Sequence, residues 1–176
     1  MTGRFRHTIK LLVAGLAAAG LGTAVAVSAG PATASSYGTA PVVVHHLNHN
    51  PKITNLRIGE HQSIDRVVID MQGKMAGYNV RFVKQLTYDG SGLPVPLKGK
   101  RFVSVVLNPA SAHDNNGNGL YQGPTLEQYG LPSLRGVAFT GDFEGYVSFG
   151  ISLTHKAAFR VNELTNPTRL VIDFKH

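Results

Sequence analysis

Asp142 and Glu144 stand two residues apart between Gly141 and Gly145. On a strand such a pair shares one face, with Cβ atoms about 7 Å apart by strand rise. Paired carboxylates at that spacing are the tools of glycoside hydrolysis, where their separation sets the stereochemical outcome. The same two residues serve equally as turn or capping groups, or as partners of a nearby arginine. The chain has no Trp to form a sugar platform. Ligand contact is therefore expected here before catalysis, and a small carboxylate-based hydrolase stands only as a remote alternative.

Three other constellations carry chemistry. His45-His46-x-x-His49 offers the imidazoles that zinc and copper prefer. No carboxylate or thiolate accompanies them, so the expectation is a polar tether and no metal. Asp114-Asn115-Asn116-Gly117-Asn118-Gly119 fits the first half of a calcium loop. Position twelve is Thr125, however, where a bidentate Glu belongs. A flexible Asn/Gly loop is the better reading, with calcium binding left open. Arg57, Arg81 and Arg160 occupy outward positions of predicted strands, and their forked guanidinium groups suit planar carboxylates and phosphates. The competing view is a solvated sheet face whose charges discourage aggregation. Nucleophilic catalysis lacks its parts, for there is no Cys, no G-x-S-x-G elbow and no zinc-amidase set of His and Glu. The candidate ligand-binding residues are Arg57, Arg81, Arg160, Asp142 and Glu144, with no catalytic residue and no cofactor.

The elements that must position these groups read as β. One phrase occurs twice with a single change, Arg66-Val-Val-Ile-Asp70 and Arg169-Leu-Val-Ile-Asp173. A short apolar run between a cation and a carboxylate reads as a strand buried on both faces, its charged ends reaching water or each other. Tyr78, Val80 and Phe82 alternate with polar neighbours, and Val147, Phe149, Ile151 and Leu153 alternate with Tyr146, Ser148, Gly150 and Ser152. Phe102 to Leu107 is a further apolar run. Asp89-Gly90-Ser91-Gly92 marks a turn, and Pro94 and Pro96 confine the next stretch to an edge or loop. Residues 108–134 read as a long loop with one helical turn at Thr125 to Tyr129. No helical period extends over three turns after residue 35. The prediction is an all-β antiparallel sandwich of about seven to nine short strands.

Residues 1–34 read as a signal peptide. Arg4, Arg6, His7 and Lys10 precede an apolar stretch from Leu11 to Val27, and Ala32-Thr33-Ala34 supplies a cleavage site before Ser35. An uncleaved anchor is the alternative, since Leu11 to Gly30 reaches the length a bilayer needs. Residues 35–51 read as a flexible linker and 52–176 as one domain. Cleavage leaves 14 Lys/Arg against 10 Asp/Glu, a mild excess of +4. That balance favours anionic wall polymers or lipid headgroups over long range and is far from a nucleic-acid-binding composition. An exported chain without cysteine relies on core packing for stability, which suits a bacterial envelope or extracellular setting.

In order along the chain, residues Ser63 to Asp70, Gly77-Tyr78-Asn79-Val80, Asp89 to Gly92, Gly141 to Gly145 and Asn166 to Asp173 resemble the AMIN-like domain of actinobacterial exported proteins and lipoproteins. The resemblance covers roughly residues 52 to 176. It implies a β-sandwich like that of the AMIN domain of cell-wall amidases and secretins, a non-catalytic module that binds peptidoglycan or holds its partner in the envelope. The chain departs from many relatives in lacking a lipobox cysteine. The expected function is a secreted, monomeric envelope module binding peptidoglycan or an anionic wall polymer. The alternative is a protein–protein adaptor docking through a strand edge or the 108–134 loop.

Overall fold

The computed structural model describes residues 36–176. The expected signal peptide, its cleavage after Ala34 and the competing anchor lie outside the described residues. In chain order the strands are Val42–Val44 (β1), Lys52–His61 (β2), Ile64–Gln72 (β3), Tyr78–Val83 (β4), Arg101–Leu107 (β5), Leu126–Gln128 (β6), Leu134–Phe143 (β7), Tyr146–Leu153 (β8), Phe159–Leu164 (β9) and Arg169–Lys175 (β10). They form a six-stranded sheet, β1-β4-β5-β8-β7-β6, and a four-stranded sheet, β2-β3-β10-β9, antiparallel throughout. The predicted all-β sandwich is thus present. It has ten strands among the described residues because β1 and β6, three residues each, join the longer ones. No described helix is long and apolar enough to cross a membrane.

Strand alternation builds the core. Val67 and Ile69 of β3 meet Leu170, Ile172 and Phe174 of β10 on the inner side of one sheet, and Val147, Phe149, Ile151 and Leu153 of β8 face them from the other. Each of these large side chains, wholly removed from water, contributes about 1.5–3 kcal/mol. Ser148, Gly150 and Ser152 turn to the far side, as the alternation requires. That side is covered too, because residues 84–100 fold back and lay Leu86, Val95 and Leu97 over it in a second small core with Ala138. An added Cβ at Gly150 would sit 2.8 Å from Leu86, so the position must stay small.

Two local expectations need correction. Residues 42–44, within the expected linker, pair with β4 in the register Val42↔Val80, Val43↔Asn79 and Val44↔Tyr78. Three β-branched residues beside an open edge form a strand more readily than a tether. Thr125 to Tyr129 holds no helical turn, for Leu126–Gln128 pairs with Gly136, Val137 and Ala138 of β7. The 108–134 loop is also fastened. Ile53 donates to the Ser111 carbonyl and Gln122 to that of Thr54, while the Tyr121 ring stacks on Phe139 at 4.8 Å and meets Phe149.

Candidate functional site

The two phrases lie side by side as the central strands of the four-stranded sheet. Because β3 and β10 run antiparallel, the cation of each phrase meets the carboxylate of the other: Arg66 opposite Asp173, and Asp70 opposite Arg169. Only their inner faces are covered by the opposing sheet. The outer face is a ladder of rungs across β2, β3, β10 and β9. One rung is Gly59, Arg66, Asp173 and Arg160; the next is Arg57, Val68, Val171 and Asn162; the third is Asn55, Asp70, Arg169 and Leu164.

The first rung is closed. Asp173 is wholly buried and accepts two hydrogen bonds from Arg66, at 2.6 and 3.0 Å, and one from Arg160 at 2.9 Å. Burial pushes its carboxyl upward in pKa, but hydrogen bonds and charge from the two arginines outweigh that and hold it below the usual carboxylate range. The hydrogen bond to Asp173 raises the Arg66 pKa in turn. Tyr37 stacks its ring against both Arg160 and Lys175, each cation 4.8 Å from the ring centre, and covers this corner.

The third rung is open. Asp70 is gripped bidentately at 2.7 Å by Arg57, which reaches diagonally from the second rung. Arg169 lies directly opposite Asp70, but among the described residues its hydrogen bond goes to the Pro167 carbonyl, at 3.3 Å. Next to it lies a shallow depression of about 290 Å³ lined by Arg57, Arg66, Arg169, His61, Val68 and Val171, with Leu164 at its margin. Among the described residues this face carries the cations Arg57, Arg66, Arg160, Arg169 and Lys175 and the carboxylates Asp70 and Asp173. The result is a positively charged surface with an apolar floor.

The structure separates the candidate residues. Arg57 and Arg160 share this outer face, each paired with a carboxylate. Arg81 is exposed on the six-stranded sheet opposite Ser104, remote from both. Asp142 and Glu144 do not form a pair on one strand face. Glu144 and Gly145, at φ 49° and 80°, make the two-residue turn joining β7 and β8, a turn that needs positive φ at both positions. Asp142 instead meets His113 Nδ1 at 2.6 Å, its second oxygen shut away from solvent. The hairpin tip presents Phe143 and Tyr146, both exposed.

His46 is engaged as well. Its Nε2 meets Glu163 at 2.9 Å, where the Tyr78 hydroxyl also donates. Asp114 accepts from the backbone N–H of Asn116 and Asn118 and from the Asn118 side chain, which together hold its carboxyl below the usual range. Both of its oxygens accept hydrogen bonds from within their own loop. Asp65 is a functional-looking carboxylate with a structural task. Fully buried, it accepts from the N–H groups of Ser133 and Leu134 at 2.7 Å each and meets His176 at 3.1 Å, tying β3 to the start of β7.

Compared with known proteins, the chain matches the family model of the AMIN-like domain over residues 51–176. No curated protein and no solved structure matches it.

Proposed function

The chain belongs to the AMIN-like domain family, and from that premise we propose that it is an exported, monomeric, non-catalytic module of the cell envelope. It binds peptidoglycan or an anionic wall polymer through the outer face of its four-stranded sheet. The family supports an envelope setting. The observation that carries the binding reading is the depression beside Arg169, whose guanidinium has no carboxylate partner among the described residues and stands next to Arg57 and Arg66 over an apolar floor. A guanidinium fork donates two parallel hydrogen bonds to a carboxylate of the kind borne by wall stem peptides. Val68 and Leu164 offer apolar contact to the carbon faces of a sugar ring. Co-sedimentation with purified wall sacculi across a salt series tests the reading. Retention that weakens with salt is expected, whereas none at the lowest salt contradicts it.

A second reading, a protein–protein adaptor, is favoured by the exposed Phe143 and Tyr146 at the tip of the β7–β8 hairpin. Aromatic side chains of this kind anchor protein interfaces. Cross-linking from the hairpin tip in intact cells distinguishes the two: recovery of a protein supports the adaptor, and recovery of wall fragments alone counts against it.

A further inference from the structure

We infer that a second depression, lined by Lys98, Gly99, Lys100, Arg135 and Thr154, is an anion site that takes the phosphodiester groups of a soluble polymer chain. It encloses about 470 Å³ where the 84–100 segment passes the end of β8. It belongs to the six-stranded sheet and does not rest on the sacculus-binding reading of the other one.

The backbone around it is firmly set. Gly99 lies flush on β8, where an added Cβ would fall 2.8 Å from Ser152 and 3.1 Å from the Leu153 carbonyl. The N–H of Lys100 donates to that same carbonyl at 2.8 Å. Lys98 and Lys100 therefore flank a glycine that no larger residue replaces without displacement. Arg135 arrives by a different device. The pairing of β7 with β8 steps from Leu134↔Leu153 to Gly136↔Ser152, so Arg135 is the extra residue of a β-bulge. Bulges re-aim side chains, and this one brings a cation more than thirty positions away in sequence to the two lysines. The carbonyl of Arg135 is held by the Tyr129 N–H at 2.7 Å, and Thr154 by the Ser133 carbonyl at 2.8 Å.

The charge balance points to the ligand. Among the described residues, none of the three cationic side chains has a carboxylate partner, and no acid lines the depression. On the four-stranded sheet Asp70 and Asp173 occupy part of the arginine capacity; here nothing does. Lysine ammonium groups are compact point charges suited to phosphate oxygens, and Arg135 adds a fork. Three cations spread over one depression exceed the single charge of a phosphodiester, so successive groups along one chain fit better than an isolated anion. No exposed large apolar side chain lines it, which favours a soluble chain over a bilayer, where an apolar residue would enter the acyl layer.

The test is titration of the full chain with inorganic polyphosphate at several salt concentrations, with polyglutamate and phosphatidylglycerol vesicles as separate arms. The expected result is tighter binding of polyphosphate than of polyglutamate. Lys98→Gln/Lys100→Gln/Arg135→Gln should lower that binding at least about tenfold and reduce the log–log salt slope by about 2, at about 0.7 per lost contact. Arg135→Gln alone should give a smaller loss in the same direction. Sacculus retention through Arg169 should persist in both variants, which separates this inference from the wall-binding reading. Unchanged polyphosphate binding in either variant overturns the site. Equal affinity for polyglutamate overturns the phosphate assignment, and retention by vesicles alone overturns the soluble chain.

Discussion

Two ends of one repeated phrase meet different fates in the four-stranded sheet. At the Asp173 end, the carboxylate is buried and held by Arg66 and Arg160 together. At the Asp70 end, the carboxylate is half-buried and taken diagonally by Arg57, and among the described residues Arg169 bonds a backbone carbonyl instead. The residue types are the same and the register places them symmetrically. What breaks the symmetry is the third strand on each side: β9 supplies Arg160 to one rung, while β2 supplies Gly59 there and Arg57 a rung away. A closed ion pair holds a fold. An open one is available to a ligand.

The comparison breaks most visibly at Asp173. Asp173→Ala leaves Arg66 and Arg160 facing each other without a carboxylate. Removing one partner of a fully buried pair costs about 3–5 kcal/mol, and because both arginines still reach water a loss of about 2–3 kcal/mol is expected in urea unfolding. Unchanged stability would show that the closed rung is not structural.

Acid titration sharpens the same point. The Asp173 carboxyl is held below its ordinary value in the folded chain, so its stabilisation is full above the unfolded pKa of about 3.9 and is lost as pH falls through the folded value. Asp173→Asn should therefore flatten the loss of stability below about pH 4; an unaltered acid limb contradicts this. At the open end, Arg169→Gln should weaken sacculus binding about tenfold, or about 1.5 kcal/mol, the lower end of the range for a hydrogen bond to a charged group. Its unfolding free energy should stay within about 0.5 kcal/mol. The smallest effect belongs to Arg57→Ala, whose exposed pair with Asp70 is worth about 0.5 kcal/mol by double-mutant cycle.

Much of the sandwich was legible from residue pattern. The repeated phrase marked two strands whose ends satisfy one another, and the alternation of 146–153 matches β8 residue for residue. What escaped was strand β7, Leu134–Phe143, where Gly136 and Gly141 dilute the apolar alternation and two bulges interrupt the register. The helical turn expected at Thr125 to Tyr129 failed because pairing with β7 overrides local propensity. The site was harder. Arg57 and Arg160 were legible as outward arginines, but which cations keep a partner depends on register across four strands. For the same reason Arg169 read as a structural end-charge. Lys98, Lys100 and Arg135 gave no joint signal, since a β-bulge assembles them.

The most direct measurement is sacculus co-sedimentation of Arg169→Gln beside Arg160→Gln, each paired with its unfolding free energy. The account predicts that Arg169→Gln loses binding and keeps stability, whereas Arg160→Gln loses stability and, while folded, keeps binding. The opposite pattern, or equal binding in both, would contradict the division between a closed rung that holds the fold and an open one that holds the ligand.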